Sequence, residues 1–378
     1  MTKVSVPPPT PVGGRGRSIW WRPMAQPSGR PLHGELPYSA QMRRLIALAL
    51  AAAVVASCTS ADTVGTTTAP VVVETAVVET AVVETTSAAV TTPLATTPVA
   101  TTPVTTEPGT TEADGADPLA GRPFDVFVPP SYRATTPMPL VVLLHGFGAS
   151  GAIQEAYFQL QPLAASRGFL YVHPDGTINA IAKQFWNATD ACCGFGSTVD
   201  DVAYLTALVK DVQSNYNVDP KRIFFVGHSN GGFMSYRMAC DRADMVAAIV
   251  SLAGATWEDD TKCKPSQPVS VLQIHGTADA TIGFEGGTLL GNDHPGAQET
   301  AATWAANNGC TGPPTALPTP LDLDASIDGD ESTATEYAGC PVSGAVELWV
   351  IPDAPHIPPL SPTFGADIID FLFAHPKP

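Results

Sequence analysis

From Asp117 onward the chain alternates short, almost wholly apolar runs with stretches of helical period. The runs are Leu140–Leu144, Phe169–Val172, Ile223–Val226, Val246–Leu252, Val269–Ile274 and Val346–Ile351. A strand with one face in water alternates apolar and polar residues; a strand without polar positions must be covered on both faces. Between the runs lie helical patterns. Val202, Leu205, Leu208, Val209 and Val212 fall at three-four spacing within Val199–Tyr216, and Gly232–Cys240, Ala297–Asn307 and Ala366–Phe373 read the same way. This order predicts an α/β domain over residues 118–378, with a mostly parallel central sheet and helices on both faces. About 260 residues suit one such domain. Phe124–Val128 alternates and reads as a further strand, and a Pro-rich insertion follows the Ala297–Asn307 helix.

The first 117 residues have a different character. Met42-Arg43-Arg44, the apolar stretch Leu45–Ala56 and then Ser57-Cys58 form a basic, an apolar and a small-residue region, the layout of an export signal. Twelve apolar residues are too few for a permanent span, which needs about 20. The ending resembles the lipobox of bacterial lipoproteins, which implies a signal over 42–57, lipidation at Cys58, and a chain either anchored to the outer face of the cell membrane or secreted. Residues 1–41, rich in Pro, Gly and Arg without apolar period, are then expected to be a non-native extension, with translation starting at Met42. Residues 58–117 repeat VVVET-AVVET-AVVET and TTPLA-TTPVA-TTPVT. Such Thr/Val/Pro repeats fit no packed repeat unit and read as an extended, disordered stalk.

The formal charge is −17. The first 57 residues carry seven of the 19 basic residues and one of the 36 acidic ones, so their removal leaves 12 against 35, or −23. A surface this acidic argues against nucleic acid as a partner. No zinc-type histidine spacing, Walker or dinucleotide fingerprint is present, and no cofactor is expected. Six cysteines fall in the globular part, an even number that suggests disulfides in an exported chain. Cys310 and Cys340 flank the Pro-rich insertion and are expected to pair. Adjacent cysteines rarely bond each other, so Cys192 and Cys193 are expected to divide Cys240 and Cys263 between them.

In a parallel sheet of this kind, sites form beyond the carboxyl ends of the strands. There stands Gly227-His228-Ser229-Asn230-Gly231, a G-x-S-x-G sequence between a predicted strand and a predicted helix. A turn this tight leaves no room for side chains two residues either side of the serine, which is why glycines flank it. Ser229 is the candidate nucleophile and needs a base. Of the eight histidines, His356 follows the last predicted strand, in "PDAPHIPPL" just before the terminal helix, and is the candidate base; His294 is its rival. Asp279, in "IHGTADATIGFEGG", is the candidate carboxylate, with Asp353 a weaker one; Asp200 and Asp201 suit the first turn of a helix. The order Ser, Asp, His is that of α/β-hydrolases. The oxyanion donors are expected to be the backbone N–H groups of Asn230 and Phe147, the latter in "LLHGFG". Trp186 either lines an acyl pocket or packs. Asn187-Ala188-Thr189 matches a glycosylation sequon.

Together, "LLHGFGAS", "VDDVAYLTALVKDV", "VDPKRIFFVGHSNGGFMSYRMAC", "IHGTADATIGFEGG" and "WAANNGC" resemble the polyhydroxybutyrate depolymerase-like esterases, which sit beside feruloyl and acetylxylan esterases in carbohydrate esterase family 1. The resemblance covers roughly residues 120–374. It implies an α/β-hydrolase fold and a secreted serine esterase with Ser229, Asp279 and His356 as its triad; the segment between Asp175 and Asp200 leaves no room for a large lid domain, and a monomer is expected. The expected substrate is a hydroxyalkanoate polymer or oligomer; the alternative is a feruloyl or acetylxylan ester of plant polysaccharide. A non-catalytic surface binding lipoprotein is the rival from another class. The chain departs from the family at "DAPHIPP", where glycines usually precede the histidine and Trp-Pro-Gly follows it.

Overall fold

The computed structural model describes residues 117–378. The expected extension, export signal and stalk, with Met42 and Cys58, lie outside the described residues. Along the chain come β1 (Met138–Leu144), α1 (Gly151–Phe158), α2 (Leu160–Arg167), β2 (Leu170–Val172), the hairpin β3 (Thr177–Ile178) and β4 (Gln184–Phe185), and α3 (Asp201–Asn215). Then follow β5 (Val218–His228), α4 (Asn230–Asp241), β6 (Ala248–Leu252), β7 (Ser270–Gly276), the hairpin β8 (Gly287–Leu289) and β9 (Asn292–His294), and α5 (Ala297–Asn308). β10 (Pro314–Ala316), β11 (Thr333–Tyr337), β12 (Val346–Ile351) and α6 (Phe364–Ala374) close the chain.

Eight strands form one sheet in the order β10-β11-β12-β7-β6-β5-β1-β2. Every pairing from β12 to β2 is parallel; β10 and β11 add antiparallel to one edge. The apolar runs feed two cores. Leu140, Val142 and Leu144 of β1 face the cluster that holds α3, α4 and α5, while Val141 and Leu143 face the cluster that holds α1, α2 and α6. In β5, Ile223 and Phe225 point to the first and Phe224 and Val226 to the second. A side-chain period of two with both faces buried is what removes polar positions from these strands. Between β2 and α3 the chain forms only the short hairpin and a loop, so no lid domain is inserted there.

Three expectations are corrected. Phe124–Val128 is no strand; it makes a single antiparallel bridge, Phe127 to Tyr171. Pro123, Pro129 and Pro130 bracket it, and proline cannot donate to a ladder. The Pro-rich insertion contains β10 and β11, whose polar sequences PTA and TATEY suit a sheet edge. The cysteines pair Cys192–Cys193, Cys240–Cys263 and Cys310–Cys340. Only the last was expected. Cys240, at the end of α4, lies 5.6 Å (Cα to Cα) from Cys263, an ordinary bridging separation, and the two adjacent cysteines are left to each other. No described helix is long and apolar enough to cross a membrane.

The Cys240–Cys263 bridge closes a loop of sequence separation 23. Replacing both cysteines with alanine is expected to lower unfolding stability by about 3 kcal/mol, read from urea unfolding as a lower midpoint with a steeper slope, because the freed unfolded chain exposes more surface.

Candidate active site

The sheet reverses its winding between β1 and β5. The chain leaves β1 for β2 on one side and continues from β5 through β6, β7 and β12 on the other. Ligand sites open at such a switch point, and the loops after these two strands meet there. Leu144 pairs with Gly227 in register, so the oxyanion-loop candidate starts level with the candidate nucleophile.

The elbow has the predicted steric form. A Cβ on Gly227 would stand 2.1 Å from the Gly231 carbonyl oxygen, and one on Gly231 would stand 2.2 Å from that of Leu144. Ser229 adopts φ 55°, ψ −122°, a conformation that costs a non-glycine residue of order 1–3 kcal/mol. It is held there by its N–H donating to the Leu252 carbonyl at 2.8 Å. Its hydroxyl stands at the N-terminus of α4, partly exposed.

The structure brings together all three side chains proposed from sequence. Ser229 Oγ lies 2.9 Å from His356 Nε2. His356 Nδ1 lies 2.7 Å from Asp279 Oδ2. The carboxylate can only accept, so Nδ1 carries the proton and Nε2 accepts from the hydroxyl. Asp279 also accepts from the backbone N–H groups of Thr281 (2.8 Å) and Ile282 (2.9 Å) through Oδ1. Burial alone would raise its pKa. Hydrogen bonds from His275 and His356 outweigh burial and hold the carboxyl well below the usual carboxylate range.

His275 is a second imidazole on this carboxylate, with Nε2 3.3 Å from Asp279 Oδ2 and 2.8 Å from the Ile282 carbonyl oxygen. Its tautomer follows from its neighbours. Tyr236 Oη donates to Gln273 Oε1 at 2.8 Å, which turns the Gln273 amide nitrogen toward the Gly254 carbonyl (2.8 Å) and His275 Nδ1 (3.0 Å). Nδ1 therefore accepts and Nε2–H donates. All three side chains are buried.

Two more side chains hold the His356 loop. The ring Nε2 of His228 donates to the His356 carbonyl at 2.9 Å, and Tyr157 Oη donates to that of Pro358 at 2.7 Å. Burial in this packed setting lowers the His228 pKa to about 3. The position before the nucleophile thus works through its side chain on the base's backbone. His145, fully buried, accepts from the Gly176 N–H at Nε2 (2.8 Å) and donates from Nδ1 to the Gly146 carbonyl (2.8 Å). Burial lowers its pKa to about 4. A Cβ on Gly146 would come within 3.5 Å of Ser229 Cβ, which places the His145–Gly148 turn against the nucleophile. The N–H of Phe147 finds no acceptor among the described residues, and that of Asn230 opens α4, where helical N–H groups lack internal partners.

Trp186 does not line a pocket. It is 0 % exposed, and its indole N–H donates to the His145 carbonyl at 3.1 Å. Its backbone exchanges two hydrogen bonds with the Asn230 side chain, at 2.7 and 2.9 Å. The ring is consumed in tying the oxyanion loop to the elbow. His294 is buried and bonds the Pro295 carbonyl; Asp353 is exposed and makes no hydrogen bond or ion pair with His356. Asp200 caps α3 through the Ala203 N–H at 2.9 Å. Asp201 does more than oppose a dipole: it is buried, pairs with Arg122 at 2.6 Å and accepts from the Asn187 N–H at 2.7 Å. Sequence reading missed His275, Gln273, Tyr236 and Tyr157 as parts of this site. His275 carried a faint signal, as the strand-end histidine just before Asp279; the others carried none. Among the described residues no cluster of three or more His, Cys, Asp or Glu is placed to hold a metal ion.

Over residues 141–368 the chain matches the alpha/beta hydrolase family. It is 32% identical over 194 residues to feruloyl esterase B of Piromyces equi, covering 49% of this chain and 35% of that protein, so it spans only about a third of that relative's length. It is 28% identical over 250 residues to feruloyl esterase D of Neurospora crassa, covering 63% of this chain and 74% of that one. It is 30% identical over 239 residues to a probable feruloyl esterase C of Aspergillus flavus, covering 61% and 76% respectively.

The buried histidines set a pH dependence of stability. Unfolded, each binds a proton below about pH 6.5; folded, His145 stays neutral down to about 4 and His228 to about 3. The unfolded state therefore holds more protons in this window, and stability falls as pH drops through it. The expected slope is up to about 1.4 kcal/mol per pH unit for each histidine. Urea unfolding from pH 7.5 to 4 checks it, and His228→Gln should flatten the slope.

Proposed function

The chain belongs to the alpha/beta hydrolase family, and on that premise we propose that it is a serine carboxylesterase acting on ester groups of plant polysaccharide. The observation that carries the chemistry is the continuous line from Ser229 Oγ through the His356 ring to Asp279, at 2.9 and 2.7 Å, set on a strained elbow. Ser229 attacks the ester carbonyl carbon while its proton passes to His356 Nε2. The tetrahedral oxyanion accepts from the N–H groups of Asn230 and Phe147. His356 then gives its proton to the leaving alkoxide oxygen, and the C–O bond to the alcohol breaks. Water attacks the acyl-enzyme, losing its proton to the same nitrogen, and Ser229 recovers it as the acid leaves. Asp279 remains ionised throughout and stabilises the imidazolium. Each oxyanion donor is worth about 3 kcal/mol of the barrier.

The relatives support the polysaccharide-ester class over hydroxyalkanoate polymers, since those named are feruloyl esterases. The three bridged cysteine pairs support an oxidising, extracytoplasmic location. Export through the signal at 42–57, with anchoring by lipid on Cys58, belongs to the same proposal.

Ser229→Ala is expected to lower kcat on soluble esters by roughly 10⁴- to 10⁶-fold with an unchanged melting temperature, and a fluorophosphonate should label Ser229 and no other residue. Activity retained within tenfold would remove the nucleophile assignment. A panel of methyl ferulate, acetylated xylan and hydroxybutyrate oligomers tests the substrate class; faster turnover of the oligomers would restore the hydroxyalkanoate reading.

A further inference from the structure

Phe195 is an apolar ring in an unusual place. It is 53% exposed, the one aromatic among the exposed large hydrophobic side chains of the described residues, and its backbone lies at φ 45°. A bulky residue held in this disfavoured backbone region is an outlier from which a functional role can be argued. Its ring meets that of Phe147 edge to face, at 5.5 Å and 88°. Phe147 is itself half-buried and follows Gly146, which lies against Ser229. The exposed ring is therefore two steps from the nucleophile, on the side of the oxyanion loop.

The loop that carries Phe195 is built rather than loose. The Asn187 amide donates to the carbonyls of Ser197 (3.2 Å) and Val199 (2.8 Å), drawing together the two ends of the loop. Those bonds also engage the sequon asparagine in folding. The Ser197 N–H returns to the Gly194 carbonyl at 2.7 Å, and a Cβ on Gly194 would stand 2.1 Å from Asn187 Oδ1. Immediately before it, the bridged pair Cys192–Cys193 is buried, with the Thr189 N–H donating to the Cys192 carbonyl at 3.0 Å. The far end is tied through Asn187 to Asp201 and Arg122. The loop is thus fixed at both ends while the ring of Phe195 stays exposed.

We infer that Phe195, packed edge to face against Phe147, is the platform for the aryl ring of a hydroxycinnamoyl group, so that the acyl half of the substrate is aromatic rather than acetyl. The inference rests on the esterase reading above. In a hydroxycinnamoyl ester a rigid two-carbon alkene joins the reacting carbonyl to the ring. With the carbonyl oxygen directed to the N–H of Phe147, a rigid acyl chain extends along the loop that the two phenylalanines cover. Aromatic rings prefer offset or edge contacts of this kind. An acetyl group would end short of the platform and gain nothing from it.

The experiment compares methyl ferulate with methyl acetate, which share the alcohol and differ only in the acyl group. For Phe195→Ala the ratio of kcat/KM for ferulate over acetate should fall about five- to tenfold, with most of the change in KM, and Phe195→Trp should restore it. An unchanged ratio in Phe195→Ala overturns the platform, as does an equal loss on both esters. If the unaltered protein hydrolyses methyl acetate but not methyl ferulate, the platform falls while the esterase reading stands. If it hydrolyses neither ester and takes no fluorophosphonate, the esterase reading itself falls.

Discussion

At the end of β5 three stretches of backbone cross with no room for a side chain between them. Gly227 lies against Gly231 one turn later, and Gly231 lies against the carbonyl that ends β1. This crowding does two things at once. It forces Ser229 into a conformation that lifts its hydroxyl clear of the helix, and it draws the loop after β1 to the same spot. The candidate nucleophile and the candidate oxyanion donors thus belong to one rigid unit, with Trp186 pinned beneath it by bonds to both His145 and Asn230. A rigid unit is what electrostatic stabilisation of a developing oxyanion requires, because donors that must reorient give back most of their value.

The candidate base His356 and its carboxylate Asp279 come from farther along the chain and need a different means of control. Both sit on loops, where backbone is the least constrained. The structure answers with side-chain and backbone hydrogen-bond donors. His228 and Tyr157 hold two carbonyls of the His356 loop, while His275 and two backbone N–H groups hold Asp279. A charged group in the place of His228 would sit unpaired in a dry site at heavy cost, and burial keeps this imidazole neutral far below its ordinary range. The same burial that makes these residues good clamps makes the fold sensitive to acid.

Legibility along the chain followed burial. The strands covered on both faces were read from composition alone, and Val346–Ile351 was placed to the residue, because a run without polar positions has few alternatives. The edge strands Pro314–Ala316 and Thr333–Tyr337 were missed, since a half-exposed edge reads like any polar loop. Helices α1 and α2 were missed for another reason. They are eight residues each and meet at Gln159, which lies in the left-handed region, so neither shows a sustained period. The cysteine pairing went astray at Cys192 and Cys193 because a rule about adjacent residues was used where only distance in space decides.

What the sequence determined by itself was the covered parallel sheet and the choice of Ser229, Asp279 and His356 as candidates, which the fold brings within hydrogen-bond reach of one another. Each stands at the carboxyl end of an apolar run, and local sterics demand glycine beside the serine. Tertiary structure alone decided which buried groups serve them. Tyr236, Gln273 and His275 meet across α4 and β7, and Phe195 meets Phe147 from 48 residues away. Hydrogen bonds and ring contacts of that kind depend on distance in space. Periodicity and motif record only distance along the chain.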